Sequence, residues 1–119
     1  MRNDRENIVI RLSFDFALAI IEFSETLNRA QKFVISGQIL KSGTSIGANI
    51  REAQNAESKL DFIHKMKIAA KEIDETDYWL KLCKYSSNYP DNDELSKDLL
   101  SLNKIVSKII GTAKRNLKK

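Results

Sequence analysis

Four groups of side chains in this 119-residue chain are able to do chemistry: an Asp61-x-x-His64 pair, a Glu72 and Glu75 pair, the single Cys83, and a recurrent series of cations near the end. A carboxylate three residues before a histidine is the spacing by which helical bundles hold di-iron centres. Such a centre needs two of these elements and further carboxylates aimed at one interior point. The chain has 1 histidine, and helical phase turns His64 away from Met66 and Ile73 towards solvent, so no metal and no cofactor is expected. Glu72 and Glu75 resemble an acid and base pair, a role that requires a cleft and a neighbour that separates their pKa values. Adjacent turns of one helix supply neither, and pairing with Lys41 or Arg51 is the simpler role. Cys83 has no histidine close in sequence and sits at the edge of an apolar stripe, the setting of an inert buried thiol. No glycine-rich phosphate loop follows a strand. The expectation is a protein that is not an enzyme.

The cations carry a different chemistry. Lys97, Lys104, Lys108, Arg115 and Lys119 recur at spacings of 7, 4, 7 and 4. On a helix this puts all five on one face, a row of roughly 33 Å at the helical rise. The net charge of +4 comes from this end. Residues 1–103 hold 14 basic and 16 acidic residues, whereas 104–119 hold 6 basic residues and no acid. A cationic row of this kind can track the phosphates of RNA or DNA, and repeated copies of it add up to a salt-dependent avidity. A lysine-rich face is also the ordinary solvated side of a helix, and no aromatic RNA-binding motif accompanies it. The competing reading is a protein-interaction or structural module whose basic end only keeps it soluble.

These residues need helices to position them. Apolar residues recur at helical spacing throughout, with no sustained period of two. The chain is 42% hydrophobic and 30% charged, with 4 glycines and 1 proline to interrupt it. Residues 5–30 carry Val9, Phe16, Ile20, Phe23 and Leu27 on one stripe, and residues 33–56 carry Ile35, Ile39, Ile46, Ile50 and Ala53. Ser58 with Asp61 opens a third helix, whose stripe is Phe62, Met66, Ala69, Ile73, Leu80 and Cys83. Pro90 marks a loop, Asp91 with Glu94 gives the next start, and Leu95, Leu99, Leu102, Val106, Ile109 and Ala113 follow. The expectation is one domain over 1–119, an all-α antiparallel up-and-down four-helix bundle. No stretch reaches the ~20 apolar residues that span a bilayer, and the charged N-terminus does not read as a signal peptide. A lone cysteine allows no internal disulfide. A cytoplasmic location without membrane contact is expected.

Two features exceed what one bundle needs. Gly43 and Gly47 stand inside the second helix, where each glycine costs about 0.5–1 kcal/mol. Small residues allow another backbone to approach, either across an intramolecular crossing or between subunits. The third helix carries a second row, Ile68, Glu72, Glu75, Trp79 and Leu82, about 120° from its stripe. The first helix likewise has Ile10, Phe14 and Ile21 off its stripe. Apolar rows with no partner inside the bundle point to self-association.

The stretch SGTSIGANIREA followed by SKLDFIHKMKIAAKEIDETDYWLKL resembles the small bacterial four-helix-bundle proteins first noted as reading frames in intervening sequences of large-subunit ribosomal RNA genes. The resemblance rests on Ser45, Ile46, Ala48, Asn49, Ile50, Glu52 and Ala53, then Phe62, Ala69, Glu72, Glu75, Thr76, Trp79 and Leu80. It runs from the first helix to the C-terminus. It implies an up-and-down bundle that assembles as a ring-shaped homopentamer, with Gly43, Gly47 and the Trp79 row between subunits. The family is also similar to the accessory variability determinant of diversity-generating retroelements, a basic pentameric barrel. That similarity implies nucleic acid, and a partner protein such as a reverse transcriptase, as binding partners. Most members of the family have no established activity.

Overall fold

The protein, seen in a computed structural model that describes the backbone of residues 4–118 and the side chains of 8–118, consists of four helices. These are α1 (Asp4–Arg29), α2 (Phe33–Ala53), α3 (Lys59–Tyr85) and α4 (Asp93–Leu117). No strand occurs among the described residues. Their lengths of 21 to 27 residues follow from the scarcity of breakers and produce a rod of 52 × 21 × 21 Å.

The links form where local chemistry stops a helix. After α1 the chain turns at Gln31, which adopts a left-handed φ of 63°. Ser58 caps α3 as its spacing predicts, its Oγ accepting from the Asp61 backbone N–H at 3.0 Å. The α4 start differs by one residue from the sequence expectation. Asn92, not Asp91, is the cap: its Oδ1 accepts from the Leu95 N–H at 3.1 Å. The α2 helix closes at Ala53 rather than at 56, in turns through Gln54 to Ala56.

One core runs the length of the rod. The expected stripe residues of α1 are all buried, as are Ile39, Ile46, Ile50 and Ala53 of α2 and Leu95 to Ile109 of α4. Three expected core positions lie at its rim: Ile35, Phe62 and Ala113 are half-buried. In α3 the phase of the helix puts Ile63 inside in place of Phe62. Each helix packs on two neighbours, α1 and α3 each against α2 and α4, while the diagonal pairs do not meet. Contacts along α1 and α2 run in reverse order, Ser24 with Ser36, Ile20 with Gly43 and Ser13 with Gly47. Those along α2 and α3 do the same, Ser42 with Thr76 and Glu52 with Lys65.

The α2 helix approaches both neighbours through small polar residues. Ser24 and Ser36 share a buried 2.6 Å hydroxyl contact, and the Ser36 hydroxyl also donates to the Ser24 carbonyl at 2.9 Å. On the other side the buried Thr76 hydroxyl lies 2.8 Å from the Ser42 hydroxyl and donates to the Glu72 carbonyl at 2.7 Å. Every buried side-chain polar atom among the described residues has a partner, so these hydroxyls permit close approach without the cost of an unpaired dipole.

Candidate nucleic-acid interface and assembly surfaces

The core side of α4 fixes where its cations stand. With Leu95, Leu99, Leu102, Val106 and Ile109 buried, the spacing of 7, 4 and 7 leaves Lys97, Lys104, Lys108 and Arg115 exposed on the opposite side. Lys119 lies outside the described residues. From Lys97 to Arg115 the row covers about 27 Å of helix axis. Arg115 donates from Nη2 to the Thr112 hydroxyl at 3.1 Å. Ion pairs join Glu52 to Lys65, Asp77 to Lys81 and Lys84 to Asp93. Among the described residues none involves the four cations of the row. Their charge is therefore directed to solvent rather than spent on a neighbour.

The α3 row lies on the side of that helix next to α2. Ile68, Glu72 and Trp79 are half-buried, while Glu75 and Leu82 are exposed. Neither glutamate makes the ion pair expected with Lys41 or Arg51. Glu75 instead accepts a hydrogen bond from Trp79 Nε1 at 3.3 Å, and Trp79 packs on the core and meets Tyr78 edge to face at 5.2 Å. The Glu72 carboxyl is raised above the usual carboxylate range by its burial, then by the charge of Glu75, against a smaller lowering from Lys41. The fold thus leaves a carboxylate partly desolvated beside another, with Lys41 acting on it at a distance but not in ion-pair contact.

The glycines serve first inside the chain. A Cβ on Gly43 would stand 2.7 and 2.8 Å from the two γ-carbons of Ile20, and Gly43 is buried, so its use is the α1–α2 crossing. Gly47 meets the Ser13 carbonyl in the same way, at 3.3 Å, and also lines a groove of about 600 Å³ between α1 and α2. The groove is mostly apolar, with Ile10, Phe14, Ala17 and Ala48 on its walls and Arg11 and Arg51 as its charged lining residues. Ile10 is half-buried against the core, Phe14 is 56% exposed and Ile21 is 40% exposed. Leu18 and Leu40 are exposed as well, and the groove itself is the part the sequence reading missed. Its signal was the spacing 10, 14, 17 on α1 and 44, 47, 48, 51 on α2, which lines up only once the two helices are paired.

The remaining candidates are isolated. His64 is exposed, and the Asp61 carboxylate accepts from the Glu57 N–H at 3.2 Å at the helix start. Cys83 is buried, and its surroundings, chiefly desolvation and then the charge of Asp91, push its thiol up to about 11. A thiol held in its neutral form is a poor nucleophile. No described helix is long and apolar enough to cross a membrane.

The family model of the 23S rRNA-intervening sequence proteins matches residues 5–111 of the chain. Among solved structures, the fold is shared with a crystal structure of a protein of unknown function from the S23 ribosomal protein family of Bacteroides thetaiotaomicron. The two chains are 44% identical with a TM-score of 0.85, over 90% of this chain and 98% of that one. No curated protein matches the chain.

Proposed function

The chain belongs to the family of 23S rRNA-intervening sequence proteins, and from that premise we propose that it is a non-enzymatic homo-oligomeric scaffold that binds RNA or DNA through the basic face of α4. The observation that carries the reading is the row Lys97, Lys104, Lys108 and Arg115, exposed and without an ion-pair partner among the described residues. Phosphate contacts from such a row are electrostatic and indifferent to base sequence, so one copy binds weakly and several copies on one particle bind well. The exposed apolar residues Phe14 and Ile21 on α1 and Leu82 on α3 supply the reason for several copies. The total accessible surface of 7525 Å² supports this, since a monomer of 13.6 kDa ordinarily exposes about 6,600 Å². In this reading the bundle is antiparallel and up-and-down, as the reversed contact order supports, and its copies close a ring.

The test is a salt titration of binding to a short single-stranded RNA and a DNA duplex. Affinity should fall steeply between 50 and 200 mM salt, roughly as the number of phosphates engaged, and replacing Lys104, Lys108 and Arg115 by glutamine should weaken binding and flatten the slope. Absence of binding at low salt would reject the nucleic-acid role and leave a protein-interaction module. In that event a partner protein, such as a reverse transcriptase, becomes the class to seek.

A further inference from the structure

We propose that nucleic acid meets the protein on two helices, at the end of the rod where α3 begins and α4 finishes. Lys59 and Lys67 of α3 stand there beside Lys108, Lys114, Arg115 and Lys118 of α4, and the ligand class they fit is a duplex rather than a single strand. This rests on the nucleic-acid half of the proposed function and is independent of its assembly half.

Charge is divided along this pair of helices. Residues 59–71 of α3 and 104–118 of α4 hold nine cations and one acid, whereas residues 72–85 and 93–103 hold three cations and seven acids. In the acidic half Lys81 pairs with Asp77 at 2.8 Å and Lys84 with Asp93 at 3.5 Å. Lys97 stands there too, among Asp93, Glu94 and Asp98, so its charge is offset. In the basic half Lys65 pairs with Glu52, and none of the other eight cations has an ion-pair partner among the described residues. A polyanion is therefore drawn to the half that ends the rod rather than to the whole length of α4.

The two halves share one crevice. Asp74, Asp77 and Lys81 of α3 line it with Ser96, Leu100 and Asn103 of α4, next to the ion pair of Lys84 with Asp93. Counting equally along both helices from that pair, away from the loop that joins them, puts Lys67 level with Ile110 and Lys59 level with Lys118. Eighteen residues make about five turns, so Lys59 takes the side of Asp77, and Lys114 and Lys118 take the sides of Ser96 and Leu100. Lys67, about two turns before Asp74, follows on the same side. All four lysines are exposed. The crevice thus runs on from the acidic half into the basic half, where Lys108 and Arg115 flank it on the outward side of α4. Phe14 lines the groove between α1 and α2 and the Leu82 row is on the α2 side of α3, so neither of these apolar surfaces covers it.

Two features select a duplex. Sites for single strands combine cations with aromatic rings on which successive bases stack. The exposed aromatics Phe14, Phe33, Tyr78 and Tyr85 all lie outside residues 59–71 and 104–118, and α4 has no aromatic residue at all. A duplex keeps its bases stacked on one another and offers phosphates to the protein. The cations also form two lines, one on each helix, and packed helices lie about 8–10 Å apart. That spacing falls between the widths of the minor and major grooves of a B-form duplex, about 6 and 12 Å, so each line can follow one of the two strands that border a groove. From Lys104 to Lys118 the α4 line is about 21 Å long, the length of about six base pairs.

The experiment measures binding of the full chain to a short DNA duplex, to the RNA duplex of the same sequence and to one strand of each, between about 50 and 200 mM salt. Lys59→Gln with Lys67→Gln should weaken duplex binding more than about tenfold at the lower salt and reduce the salt slope by about 2 per chain engaged. Lys97→Gln should stay within about twofold of the parent. Each duplex should bind more tightly than its own strand, and the tighter of the two duplexes identifies the source as RNA or DNA. All three substituted positions are exposed, and circular dichroism checks that helicity is kept. An α3 variant that binds like the parent, or a strand that binds more tightly than its duplex, overturns the inference. When replacing Lys104, Lys108 and Arg115 by glutamine weakens binding and the α3 variant does not, the proposed function stands and only the two-helix surface falls. A parent chain that binds nothing at low salt overturns the nucleic-acid role itself.

Discussion

Substituting alanine at Gly43 and at Gly37 should change stability in opposite directions, although both residues sit in α2. Alanine gains about 0.5–1 kcal/mol over glycine in a helix interior. At Gly37, where an added Cβ meets nothing within 4 Å, that gain should be realised in full. At Gly43 the same carbon would lie 2.7, 2.8 and 3.0 Å from three atoms of Ile20. Ile20 is fully buried, and its branched Cβ allows few rotamers, so the crossing itself must open by several tenths of an ångström. Overpacking of this kind costs about 1–3 kcal/mol, which outweighs the propensity gain and leaves Gly43→Ala destabilised by about 1 kcal/mol. The two variants should differ by about 2 kcal/mol, or roughly 8 °C in Tm for a domain of this length. Thermal melts at one protein concentration, with Gly111→Ala as a second control because its Cβ would meet only Arg115 at 3.6 Å, make the comparison. Equal melting temperatures for the Gly43 and Gly37 variants would refute the reasoning, since α2 would then not rely on a bare backbone at its crossing with α1.

Other expectations follow from single contacts. Asn92→Ala should cost about 1 kcal/mol through loss of the α4 cap, while Asp91→Ala should stay within about 0.5 kcal/mol; urea midpoints of the two variants decide between them as the cap. The Cys83 thiol, raised to about 11, keeps its proton in the folded chain after an unfolded thiol has lost it. Its contribution is therefore complete below about pH 8.5 and disappears as pH rises through 11, a fall of about 2–3 kcal/mol. Urea titrations at pH 8 and 11 should show this loss in the parent chain and a smaller one in Cys83→Ala. Because the Glu72 carboxyl is raised by burial and by Glu75, its ionisation opposes folding of the single chain above the ordinary carboxylate pKa. Glu72→Gln should thus raise the Tm of the single chain at pH 7 and lose that advantage below about pH 4. A lower Tm at pH 7 would contradict the assignment.

The parts of the fold legible in the sequence are those set by periodicity. Stripes such as Val9, Phe16, Ile20, Phe23 and Leu27 locate a helix and its buried side because burial repeats with the helical turn. The outward position of Lys97, Lys104, Lys108 and Arg115 was readable for the same reason. Features decided by a second helix were not. Gly43 looks alike in an intramolecular crossing and in a subunit contact, and only the position of Ile20 assigns it to the former. Glu72 could be matched with Lys41 or Arg51 on paper, but the fold brings neither into an ion pair and gives the Trp79 N–H to Glu75. The α1–α2 groove combines two rows that are each unremarkable alone. The one-residue difference at the α4 cap arises because Asp91 and Asn92 are both good caps, and the geometry of the preceding loop chooses between them.

The most direct test of the scaffold is the mass of the parent chain in solution by sedimentation equilibrium, at low and at moderate salt. A discrete particle of several chains of 13.6 kDa each that persists at moderate salt and gains mass only when RNA or DNA is added is the predicted result. A single species of 13.6 kDa across the accessible concentrations, unchanged by nucleic acid, would contradict it.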